Sequence, residues 1–125
     1  MTPTEVVHEF IARITSLDVD GACELVDAEV EYDNVPMGKV QGPEGIKSVF
    51  SQMSGMIDAM EFVTHRESAA GDLVLNERTD RFRKDGKWAE LPVAGVFEVH
   101  DGRITLWRDY FDLATMTNQF AEIAS

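Results

Sequence analysis

This 125-residue chain is short of positive charge and nearly devoid of cysteine. Eleven Lys and Arg face 23 Asp and Glu, a formal charge of −12. That balance repels phosphate backbones and anionic membrane surfaces, so neither nucleic acid nor a membrane is expected as a partner. The lone Cys23 precludes an internal disulfide, and no basic-then-apolar segment opens the chain; together they predict a reducing, cytoplasmic setting. No apolar run approaches the roughly 20 residues needed to cross a bilayer. His8, His65 and His100 are too dispersed for a triad or a zinc site, and Asp18, Asp20 and Asp27 lack a ligand-loop spacing. No metal and no cofactor is therefore expected. What remains is a chain that is 44% hydrophobic, enough for a packed core and for one domain spanning residues 1–125. Its charge suits a neutral, apolar small molecule better than an anionic one.

Helical periodicity dominates the first half. Thr2-Pro3-Thr4-Glu5 has the form of a capping box with Pro at the first helical position, and Val7, Phe10, Ile11, Ile14 and Leu17 follow at helical spacing, predicting a helix over 3–16. Asp18 or Asp20 can cap a short second helix through Ala22, Cys23, Leu25 and Val26. Residues 30–34 alternate like a short strand closed by Pro36. Gly42-Pro43-Glu44 then opens a third helix with Ile46, Val49, Phe50, Met53, Ile57 and Met60 on one stripe. That stripe serves equally as core filler or, where the core contains a pocket, as a ligand lining.

From residue 60 the period changes to two. Segments 60–69, 73–84, 87–99 and 103–111 read as strands joined by Gly71-Asp72, Asp85-Gly86 and Asp101-Gly102, and a last helix carries Leu113, Met116, Phe120 and Ile123. The expected fold is α+β: a strongly curved antiparallel or mixed sheet wrapped around a long helix as a cone, with helices at the N-terminus.

Two stretches could carry chemistry. In the final strand, Asp109 shares a face with Trp107 and Phe111, and a carboxylate among rings is costly to ionise without a partner. In the strand 73–84, Arg78 and Asp80 share a face with Val74 and Phe82. On an open antiparallel sheet those charges would be solvated. If their face is the one opposite the helix, they are buried next to Asp109. Two carboxylates bridged by a guanidinium can divide labour, one ionised as general base and one protonated as general acid. Tyr32 and Asn34 share a strand face and can hold a water molecule.

Tyr32-x-Asn34, Glu77-Arg78-x-Asp80, Gly95-Val96-Phe97 and Asp101-Gly102-Arg103-Ile104-x-x-Trp107-Arg108-Asp109-Tyr110-Phe111-Asp112, in that order, resemble the limonene-1,2-epoxide hydrolase family over nearly the whole chain. The resemblance implies the cone of the nuclear-transport-factor-like (SnoaL-like) superfold, a homodimer, and one-step hydrolysis of an epoxide to a vicinal diol without metal or covalent intermediate. No Gly-x-Ser-x-Gly nucleophile elbow is present. Carried over, the resemblance makes Asp109 the base that deprotonates water, Tyr32 and Asn34 the other holders of that water, Asp80 the acid that protonates the epoxide oxygen, and Arg78 the group orienting both carboxyls. Met37, Phe50, Met53, Leu91, Val93, Phe97, Trp107, Phe111, Leu113 and Met116 are the expected lining for an apolar epoxide. The same superfold hosts isomerases and polyketide cyclases. A ketosteroid-isomerase-like enzyme or a non-catalytic binder of apolar ligands is the alternative.

Overall fold

A computed structural model describes residues Met1–Ser125. Helices α1 (Pro3–Thr15) and α2 (Val19–Cys23) precede strands β1 (Val26–Asn34) and β2 (Gly38–Gln41), followed by α3 (Gly42–Met53). A meander of β3 (Ala59–Ala70), β4 (Leu73–Lys84), β5 (Lys87–His100) and β6 (Arg103–Tyr110) leads to α4 (Leu113–Ala124). The six strands form one curved, unclosed sheet in the order β2-β1-β6-β5-β4-β3. Every neighbouring pair is antiparallel except β1 with β6, which run parallel. None of the helices is long and apolar enough to cross a membrane.

The start of α1 follows from its cap. The Thr2 hydroxyl accepts the Glu5 N–H while Glu5 accepts the Thr2 N–H, the reciprocal pair of a capping box. Val6, Val7, Phe10 and Ile14 then bury one face of α1 against the sheet. The core runs from this face through Val30, Ile46, Phe50, Phe97, Ile104 and Trp107.

The meander follows the two-residue turns expected from Asp-Gly and Gly-Asp. At Asp101-Gly102 both residues have positive φ, 51° and 76°, which a right-twisted hairpin of this length requires.

Three boundaries depart from the periodic reading. The second helix ends at Cys23 and β1 begins at Val26 instead of residue 30, because the Leu25 carbonyl already accepts the Ile104 N–H and Val26 pairs with Ile104 in the sheet. Helix α3 stops at Met53, and Ile57 and Met60 lie beyond it. Both are buried, so the apolar stripe continued past the helix for a different reason: Met60 faces inward from β3, paired with Phe82. Strand β2 was not expected at all, being a short edge of four mostly exposed residues with little apolar signal.

Candidate active site

The sheet register brings the predicted residues together. In the parallel pairing, Tyr32 lies beside Trp107 and Asn34 beside Asp109. On the other side of β6, Asp109 pairs with Gly95 of β5, which in turn pairs with Asn76 of β4. Asn34, Asp109, Gly95 and Asn76 thus form one row across four strands. Arg78 and Asp80 follow Asn76 on the same inward face, as period-two alternation demands.

Arg78 and Asp109 sit on strands separated by β5, and the guanidinium reaches across it. A Cβ on Gly95 would stand 2.3 Å from Arg78 Nη1 and 3.1 Å from Asp109 Oδ1. Only a residue without a side chain leaves that passage open. Arg78 then donates from Nε to Asp80 Oδ1 (2.9 Å), from Nη2 to Asp80 Oδ2 (2.9 Å) and Asp109 Oδ2 (3.0 Å), and from Nη1 to Asn76 Oδ1 (3.0 Å). The Trp107 indole N–H donates to Asp109 Oδ1 at 3.0 Å. Phe62 covers the guanidinium, its ring centre 4.9 Å from the Arg78 Cζ. Arg78, Asp80 and Asp109 are 1%, 4% and 3% exposed.

One buried cation serves two buried carboxyls, and the electrostatics follow from that imbalance. Burial pushes Asp80 up to about 6, against the opposing pull of Arg78. Burial also raises Asp109, although the Arg78 and Trp107 N–H groups favour its ionised form. Burial alone would weaken the charge on Arg78, but Asp109 and Asp80 outweigh it and keep the guanidinium protonated. The Tyr32 phenol is raised by burial and by Asp109, so it retains its proton. With both carboxyls ionised the trio carries one net negative charge; holding one proton makes it neutral, the state a dry site favours.

Tyr32, Asn34, Asp80 and Asp109 border a cavity of about 250 Å³ whose other walls are almost entirely apolar. Met37 from the β1–β2 turn, Phe50 and Met53 from α3, and Met116 from α4 line it as expected. Leu91 and Val93 of β5 and Phe111, just after β6, also line it. Three expected lining residues lie elsewhere. Trp107 is fully buried behind Tyr32, its ring stacked at 4.0 Å, and Phe97, also fully buried, stacks on the same indole at 5.9 Å. They form a floor beneath the site instead of a wall of the cavity. Leu113 opens α4 with its side chain turned outward, 42% exposed.

A profile of the "Limonene-1,2-epoxide hydrolase catalytic domain" family matches residues 1–122. The chain belongs to the limonene-1,2-epoxide hydrolase family. Its enzyme class is therefore epoxide hydrolase. "Epoxide hydrolase EphG" of Mycobacterium tuberculosis is 36% identical over 110 residues, spanning 88% of this chain and 73% of that protein. The solved structure of a Mycobacterium tuberculosis epoxide hydrolase described as like this family superposes with a TM-score of 0.83 at 33% identity, covering 98% of this chain and 91% of the other. A putative polyketide cyclase from Xanthomonas campestris pv. campestris has the same TM-score at only 19% identity, over 94% and 96% of the two chains. That last likeness extends to the fold alone, as expected of a scaffold shared by cyclases and hydrolases.

Within this family site, sequence reasoning passed over several residues. Asn76 has the parity of Arg78 and Asp80, the one signal that could have marked it. Gly95 inside a strand could have been read as a close approach of other groups. Val49, Gln52, Met56, Phe62, Phe82 and Phe120 also line the cavity. Phe82 has the inward parity of Asp80 on β4, whereas Phe62 sits on the adjacent β3 and requires cross-strand geometry to be found.

Arg108 lies on the opposite face of β6, as parity predicts, and donates to Asp33 (2.9 Å) and Glu31 (2.8 Å). Asp112 caps α4 by accepting the Thr115 N–H at 2.9 Å.

Proposed function

We propose that this protein adds water to an apolar epoxide in one step, giving a vicinal diol through paired carboxyl acid–base catalysis. The observation that carries the reading is the single guanidinium bridging two buried carboxyls at the polar end of an apolar cavity. Asp109 is the base. Its two oxygens are held by Arg78 and Trp107, and Tyr32 and Asn34 stand on the adjoining strand to hold the attacking water beside it. Asp80 is the acid, and burial that pushes its carboxyl up to about 6 supports that role.

The water oxygen forms a bond to a ring carbon as that carbon's bond to the epoxide oxygen breaks. The water's proton passes to Asp109, and the proton on Asp80 passes to the departing oxygen. Ring strain supplies part of the driving force, so no strong nucleophile is needed. Positioning and acid–base terms account for the remainder. The products leave Asp109 protonated and Asp80 ionised, and both carboxyls touch the same Arg78 Nη2 as they reset. The cavity walls suit a terpene, cycloalkene or fatty-acid-derived epoxide. We further propose that residues 1–125 act as one domain in a reducing, cytoplasmic setting, with a second copy of the chain as partner.

The test is a panel of limonene-1,2-epoxide, cyclohexene oxide and epoxystearate, scored for chiral diol. Asp80→Asn and Asp109→Asn are each expected to lower kcat by roughly a thousandfold or more while the protein stays folded. A single turnover in oxygen-labelled water should deliver the label to the diol directly. Label reaching the diol only on a second turnover points to an enzyme ester and overturns the one-step route. Retention of turnover by either variant overturns the paired-carboxyl assignment.

A further inference from the structure

We propose that Asn76 is a positioning residue of this site, fixing the rotation of the Arg78 guanidinium and through it the placement of both carboxyls; the inference rests on the epoxide-opening reading above. Arg78 presents its Nε and Nη2 edge to Asp80 and Asp109, and both carboxyls lie along that edge. Contacts along one edge leave the planar fork able to tip. The Nη1 group on the far edge donates to Asn76 Oδ1 at 3.0 Å, giving the plane a second anchor.

The chemistry at position 76 is specific. Asn76 is 5% exposed, and its own Nδ2 finds no acceptor in the protein. Reversing the amide would aim that Nδ2 at an Arg78 N–H, so the bond to Arg78 sets the orientation and leaves the donor unpaired. A buried amide donor without a partner is a cost that an apolar side chain would avoid, and Val74 on the same strand face shows what packing alone selects. A carboxylate at 76 would also anchor Nη1, but it would add a third negative group around one cation. The neutral carbonyl oxygen of Asn anchors the guanidinium without altering the charge. The Asn76 oxygen lies 2.6 Å from the point a Gly95 Cβ would occupy, so the gap in β5 that lets Arg78 reach Asp109 also admits its anchor. Asn76 does not border the cavity.

That separation from the cavity makes the proposal testable on whichever panel epoxide the wild type turns over fastest. Asn76→Leu keeps the approximate shape and removes the acceptor; kcat should fall ten- to a hundredfold with KM within about twofold of wild type. Asn76→Asp keeps the acceptor and adds charge beside Arg78; its kcat/KM profile should move to higher pH, because a further negative charge raises both carboxyls. An Asn76→Leu enzyme with kcat within about twofold of wild type, or with its loss confined to KM, overturns the proposal. Should Asn76→Leu fail to fold, Asn76→Asp decides: an unmoved pH profile overturns the inference and a shifted one supports it. An inactive wild type across the panel sinks the epoxide reading instead, which keeps the two failures apart.

Discussion

At the scale of single residues, Asp80 couples chemistry to stability. Its folded carboxyl is raised by burial from an ordinary 3.8 to about 6, so the native state keeps this proton longer than the unfolded chain does. The sign follows: its contribution to stability is fully present below about pH 4 and is lost as pH rises through about 6. Asparagine does not titrate. The stability of Asp80→Asn relative to wild type should therefore grow by about 1–3 kcal/mol between roughly pH 4 and pH 7. Urea unfolding of both proteins across that range measures it, and a difference that stays flat or shrinks contradicts the raised carboxyl. Arg78 shows the same coupling in structural form. Alone it would be an expensive buried cation; between two carboxyls and under Phe62 it is the group that makes the site's charges tolerable.

At the scale of elements, the β5–β6 hairpin decides whether Asp109 reaches the row with Gly95. Two features set its register: the Asp101-Gly102 turn and the inward alternation of Phe97, Val99, Ile104, Trp107 and Asp109. A shift at Glu98/Val99 reconciles the two, since the turn and the inward pattern would otherwise be one residue out of step. Replacing Gly102 (φ 76°) by Val strains the turn and leaves the buried alternation intact. The expected result is a loss of about 1–2 kcal/mol in urea unfolding with kcat nearly unchanged. A large fall in kcat with little loss of stability would show that the turn, and not the buried pattern, holds the register.

At the scale of the whole molecule, the sheet has one face covered by helices and one bare. Leu75 pairs with Val96, Ala94 with Tyr110, and Val63 with Thr79 on that bare face; Leu75, Tyr110 and Val63 are among the exposed large apolar residues. A charge of −12 disfavours loose association between copies, so an apolar band retained there suits a specific, self-complementary contact. Sedimentation should give twice the 14.0 kDa chain mass, and Ala94→Glu at the centre of the band should return it to a monomer. A wild type that sediments as a single chain at all concentrations refutes the homodimer.

The sequence by itself determined what is local along the chain. Alternation put Arg78 and Asp80 on one strand face and Arg108 opposite Asp109, the two-residue turns named the meander, and the Trp-Arg-Asp-Tyr-Phe-Asp run identified the family that the profile match bears out. Only the tertiary structure decided what happens between strands. The parallel pairing of β1 with β6 brings Asn34 beside Asp109, and the missing side chain at Gly95 lets Arg78 cross a whole strand. Curvature and register also chose Trp107 and Phe97 as floor and left Phe62 and Phe82 as wall. The physical reason is one of range. Side-chain parity and turn chemistry act over two to four residues, whereas strand pairing joins positions far apart in sequence, and a short pattern carries no record of its partner.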